Sequence, residues 1–157
     1  MNTVECSNND IKYIEIAAGE ATKSIENYRH GCVAVSSGKI IAKGHNHNRT
    51  VSQDGLISNK VCSCHAEIDV LRKCLKKNIT QKITLYIVRI GNSDLYLSSN
   101  PGIECYKQMK KFHIKSLVYS ENDGSLTKIH MRNFKSEYQS SGYKAIVTKC
   151  IKCFNNK

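Results

Sequence analysis

The chain reads as an α/β domain, a mixed sheet with helices packed against it. Three observations predict this. Residues 31–35 and 39–44 are two short β-branched runs around a Ser-Gly turn, the pattern of a β-hairpin. Residues 82–90 are almost continuously apolar, as a central strand covered on both faces would be. After the hairpin, helical and strand-like stretches alternate up to residue 131, which argues for a mixed sheet with helices against it.

The elements follow in order. Residues 1–9 are a polar lead-in, and Asn9 or Asp10 can cap a helix by accepting a backbone N–H bond. Ile11, Ile14, Ala18, Ala21 and Ile25 recur at helical spacing, so the pattern predicts a helix over 10–28. The hairpin leaves through Gly44, His45 and Asn46 into a polar stretch, and 51–61 has no periodicity and reads as loop. A helix over 65–77 shows Ile68, Leu71 and Leu75 on one face. The strand over 82–90 follows, then a loop to residue 100 with a short extended piece at Leu95, Tyr96 and Leu97. Pro101 suits the first turn of the next helix, whose inner side carries Cys105, Met109 and Phe112. Residues 114–120 and 126–131 are further strands, and from residue 133 the chain is polar and basic. The division is therefore a lead-in (1–9), one domain (10–132) and a basic extension (133–157).

Composition narrows the function classes. Hydrophobic residues make up 40% and charged residues 24%, the balance of a soluble globular domain rather than a fibrous or disordered one. No stretch approaches the roughly 18 apolar residues of a membrane span, and no secretory signal pattern is present, so the expectation is a cytoplasmic protein without membrane partners. Eight cysteines without a secretory signal are read as reduced thiols, some packed and some available to metal. Cys6, Cys32 and Cys74 read as packing or incidental thiols, and Cys150 and Cys153 as a pair without metal or as half of a structural zinc site with Cys62 and Cys64. The net charge of +11 suits a polyanion, nucleic acid or nucleotide phosphate, although the lysines are scattered.

The chemistry centres on Cys64-His65-Ala66-Glu67 at the mouth of the second helix. A histidine there can hold a metal, and a glutamate two residues on can move the protons of a water beside it. Such an H-x-E sequence, followed by P-C-x-x-C, is the signature of nucleobase zinc deaminases. The second half stands here as Pro101-Gly102-Ile103-Glu104-Cys105, with glycine in the place of the first cysteine.

On these residues, and on the hairpin ending in Gly44-His45-Asn46 and the strand Leu117-Val118-Tyr119-Ser120, the sequence resembles the cytidine/deoxycytidylate (CMP/dCMP-type) deaminase superfamily over residues 10–131. The resemblance implies a three-layer α/β/α fold around a mixed sheet of about five strands, with one zinc between the starts of two helices. It implies that His65 and Cys105 ligate zinc and that Glu67 is the catalytic proton shuttle. It implies that Asn46 contacts the substrate sugar and that the Ala66 backbone lines the pocket; Arg49 is a candidate for phosphate and Tyr119 for the base. The substrate is then a cytosine nucleotide or nucleoside, and a homo-oligomer is a common assembly of the family.

Gly102 has no side chain to offer where the family has a ligand. A catalytic zinc site keeps three protein ligands and a water. Either another cysteine substitutes, Cys62 on the preceding loop before Cys64, or a second water fills the place, or zinc is absent. Two functions follow: a hydrolytic deaminase, favoured by Glu67, or a deaminase-fold module that binds nucleotide, nucleic acid or a partner protein without catalysis, favoured by Gly102.

Overall fold

The structure, a computed structural model, describes residues 2–48, 53–56 and 64–136. Seven strands form one sheet in the order β1-β7-β6-β4-β2-β3, with β5 beside β4. They are β1 (Thr3–Val4), β2 (Arg29–Ser36), β3 (Lys39–His45), β4 (Ile83–Ile90), β5 (Tyr96–Leu97), β6 (Ile114–Ser120) and β7 (Leu126–His130). The pairing of β4 with β6 is parallel and every other pairing is antiparallel, so the sheet is mixed as expected. The two extra strands are the two-residue pieces β1 and β5 at its margins.

Alternation along the strands divides the core into two layers. On β2, Val33 and Val35 face one side, with Tyr86, Val88 and Ile90 of β4 and Val118 of β6. Helix α1 (Asn8–Ala21) covers that side with Ile14, Ala17 and Ala21. Cys32 and Ala34 face the other side, with Leu85, Ile87 and Leu117. Helices α2 (Ala66–Lys76) and α3 (Ile103–Met109) cover it with Val70, Leu71, Cys74, Cys105 and Met109. Period-two side chains and one helical layer per face make the three-layer sandwich.

Several expectations need correction. Helix α1 begins after Ser7, whose hydroxyl accepts the Asp10 N–H while the Asp10 carboxylate accepts the Ser7 N–H. Neither Asn9 nor Asp10 is the cap; the reciprocal box pins the start earlier. The helix also ends at Ala21 rather than near residue 28, leaving Ile25 exposed. Beyond it the Ser24 hydroxyl donates to the Asn46 carbonyl, turning the chain towards β2. Leu75 is exposed and Cys74 is buried in its stead, a small rotation of the inner face of α2. Pro101 stands before the cap of α3, and Gly102 is the cap residue. Residues 1–9 are not only a lead-in, since they supply β1 and the first turn of α1. The stretch read as an extension begins with docked residues: Phe134 stacks edge-to-face on Tyr106 and Tyr119, and the Ser136 hydroxyl donates to the Pro101 carbonyl.

The hairpin turn is as its sequence predicts. Ser37 and Gly38 both have positive φ, 49° and 76°, matching a two-residue turn that continues the strand twist. At Gly31 an added Cβ would collide with the Ala17 carbonyl oxygen and lie 2.6 Å from the Ala21 nitrogen. Glycine there lets β2 pass directly under α1.

Candidate active site

The site forms where α2 and α3 begin. An isolated antiparallel bridge seats the approach to α2: His47 N–H donates to the Cys64 carbonyl at 3.0 Å, and Cys64 N–H returns the bond at 2.8 Å. The next residue, His65, is the cap of α2 in extended conformation, and Glu67 lies in its first turn. Asp69, a turn inward, ties the helix to the end of the hairpin by accepting from His45 N–H and by pairing with His47 Nε2 at 3.0 Å. Sequence-distant Cys105 arrives from the first turn of α3.

His65 Nδ1 lies 3.1 Å from Cys105 Sγ. With a Glu67 carboxylate oxygen, all three donor atoms fall within 4.8 Å of one another. Glu67 and Cys105 are both buried, with their donor atoms within 4.8 Å of each other. Burial raises the Glu67 carboxyl above its ordinary value, against the pull of the His65 ring. Burial pushes the Cys105 thiol well above the usual range, and the charges of Glu67 and Glu104 push it further. A cation at this point reverses those effects, since a coordinated thiol is held as thiolate. Nitrogen, thiolate and carboxylate donors converging in a buried place are the donor set zinc takes, so the residues fit the metal.

Other candidates lie as follows. Asn46 is buried; its Oδ1 accepts from His30 N–H at 2.9 Å and its Nδ2 donates to the Tyr28 carbonyl at 2.6 Å. Ala66 is fully buried at the first position of α2. Tyr119 is buried near the end of β6, with its ring against Phe134. Cys64 groups with His47 and Asp69 as a second set of close donors. Arg49, Cys62, Cys150 and Cys153 lie outside the described residues.

Two residues escape the sequence reading. His30, on β2, is held neutral, its pKa lowered to about 3 by burial and then by the charges of His65 and Arg89. Nothing in its sequence surroundings marks it. Glu104 brings a second carboxylate to the cluster, with Oε1 at 3.9 Å from His65 Nδ1. Its place between Gly102 and Cys105 was the available signal.

A half-buried imidazole against a buried thiol, with a raised carboxyl beside them, set between two helix starts on a mixed sheet, is a donor set that a metal ion can take. The family model of the cytidine and deoxycytidylate deaminase zinc-binding region matches residues 7–121, and the chain belongs to that family. A zinc-type, deaminase-like function follows from membership. Among solved structures the chain is similar in fold to dCMP deaminase from the cyanophage S-TIM5. Its apo form is 18% identical, with a TM-score of 0.57 over 75% of this chain and 86% of that one. Its complex with dCMP and dUMP is 19% identical, with a TM-score of 0.56 over 76% and 85%. Among curated proteins no sequence relative is found.

Proposed function

We propose that the protein is a zinc-dependent hydrolytic deaminase of a cytosine nucleotide or nucleoside, replacing the C4 amine by a carbonyl and releasing ammonia. The observation that carries this is the convergence of His65, Glu67 and Cys105 within 4.8 Å, from two helices, in a chain of this family. His65 and Cys105 are the zinc ligands in this reading. Zinc, when bound, supplies a Lewis acid and makes a coordinated water acidic near neutral pH.

Glu67 does the proton work. Its carboxylate takes one proton from the attacking water and gives it to ring nitrogen N3, then takes the second from the hydroxyl formed at C4 and gives it to the departing amine. The carboxyl is buried against the site, so it exchanges protons with the reacting groups rather than with bulk water. Asn46 is assigned to the sugar. Its hydrogen bonds to Tyr28 and His30 fix the carboxamide and leave each end one further bond to make. The Ala66 backbone is assigned to the pocket wall, Tyr119 to the base and Arg49 to a phosphate. The cyanophage enzyme's complex with dCMP and dUMP supports a mononucleotide substrate. Among the described residues, no helix is long and apolar enough to cross a membrane. We place the protein in the cytoplasm, with a homo-oligomer as the assembly the family resemblance offers.

A second reading, a weak or inactive module that binds nucleotide, nucleic acid or a partner protein, draws on Gly102. Ammonia release from cytidine, deoxycytidine, CMP, dCMP and a cytosine-rich oligonucleotide, each at low and high salt, separates the readings. The deaminase reading expects release from a monomer substrate with a weak salt response. Release from the oligonucleotide alone, falling steeply with salt as phosphate contacts are lost, would transfer the function to polynucleotides. Binding without any release would support the module.

A further inference from the structure

We propose that the Glu104 carboxylate is the third protein ligand of the zinc site, standing in the space that Gly102 leaves open. This rests on the zinc reading above and extends it. An added Cβ at Gly102 would meet Glu104 Oε2 at 3.1 Å, Oε1 at 3.2 Å and Cδ at 3.3 Å. The nearest atoms to a side chain at position 102 are therefore those of one carboxylate. Glycine does more than remove a donor here; it makes room for another.

The local geometry accounts for the placement. Gly102 caps α3 and Glu104 lies in its first turn. Side chains on a helix lean back towards its start, so a residue two positions on reaches the space beside the cap. A cysteine at 102 would crowd that carboxylate, and a glycine does not.

The carboxylate has nothing else to do where it sits. Among the described residues, Glu104 Oε1 and Oε2 are both buried and neither has a hydrogen-bond partner. A buried, unpartnered carboxylate is strongly unfavourable unless a cation joins it. Among the described residues the basic group nearest to it is His65, whose Nδ1 is 3.9 Å from Oε1, beyond hydrogen-bond reach, while the Glu67 carboxyl beside it adds repulsion. The same Nδ1 is 3.1 Å from Cys105 Sγ. His65 is thus the common neighbour of an orphaned oxygen and a buried sulfur. One histidine, one thiolate and one carboxylate make three protein ligands, with the fourth position left for water. A carboxylate carries the same single negative charge as the thiolate it replaces.

The test uses the full chain, stripped of metal and reloaded, in three forms: the parent, Glu104→Gln, and the double variant Gly102→Cys/Glu104→Ala, in which the smaller side chain clears the space for the cysteine. Zinc affinity is measured by competition with a chromophoric chelator, and the Co(II) forms are compared by absorption. The expectation is one zinc per parent chain and a loss of affinity on the order of 100-fold in Glu104→Gln. The circular dichroism of Glu104→Gln should match that of the parent. In the double variant affinity returns and the thiolate-to-cobalt band strengthens, because a second thiolate has joined. A Glu104→Gln chain that holds zinc as tightly as the parent overturns the inference and leaves the zinc reading intact. A loss that Gly102→Cys does not restore also overturns it, since the carboxylate then supports the fold and not the metal. A parent that takes up no zinc overturns the zinc reading itself, and this inference with it.

Discussion

Replacing Asn46 by alanine is expected to destabilise the protein by about 2–6 kcal/mol. The figure comes from two backbone groups that the carboxamide satisfies, His30 N–H at 2.9 Å and the Tyr28 carbonyl at 2.6 Å. Asn46 is buried, so water does not freely replace the lost partner. Each stranded group costs roughly 1–3 kcal/mol. For a chain of this size, about 3 kcal/mol lowers the melting temperature by roughly 6–12 °C. Asn46→Asp keeps an acceptor for His30 and sets a second acceptor against the Tyr28 carbonyl, so it should also be destabilised. The assay is urea unfolding followed by circular dichroism, with deaminase kinetics on whatever remains folded. If Asn46→Ala unfolds at the parent's midpoint, the carboxamide is not the clamp described. If stability falls while kcat/KM of the folded fraction is unchanged, the assignment of Asn46 to the sugar is refuted and the clamp stands.

Further predictions concern the scaffold. Gly31→Ala places a methyl group against the α1 backbone at Ala17 and Ala21, and overpacking of this kind costs about 1–3 kcal/mol or more. Urea midpoints check it, and an unchanged midpoint would show that β2 and α1 are not packed this closely. Asp10 gives a pH dependence. Burial alone would raise its carboxyl, but hydrogen bonds from Lys128 at 2.8 Å, Tyr86 at 2.7 Å and Ser7 N–H hold it below the usual 3.8. A depressed carboxyl stabilises fully above its unfolded value and loses that contribution as pH falls through the lower, folded value. Asp10→Asn should therefore cost about 1–3 kcal/mol at pH 7. Unfolding curves taken well below pH 3.8 should show parent and variant converging, and a gap that persists there would refute the assignment.

The fold was legible where periodicity and burial coincide. Residues 82–90 read as a central strand because both faces of β4 are covered, by α1 on one side and α2 on the other. The hairpin was legible because its turn needs the positive φ that Ser37-Gly38 adopts. The end of α1 was not legible, because Ile25 continues the helical spacing while the chain is drawn aside by the bond between Ser24 and Asn46. His65 and Glu67 were visible because their chemistry needs them two apart on one helix, and the comparison with Cys105 needed only spacing. Glu104 was hidden for a physical reason. Its place between Gly102 and Cys105 marks the residue, but not that its carboxylate folds back over the missing Cβ.

The central claim is that Glu67 moves the protons of a zinc-assisted deamination. The most direct measurement is steady-state turnover of dCMP and of cytidine by zinc-loaded protein, followed by the ultraviolet change on forming uracil, for the parent and for Glu67→Gln. The account predicts turnover by the parent and a fall in kcat of about 10²–10⁴-fold in Glu67→Gln, with zinc content unchanged. A Glu67→Gln chain that turns over as fast as the parent, or a zinc-loaded parent that converts neither substrate, would contradict it.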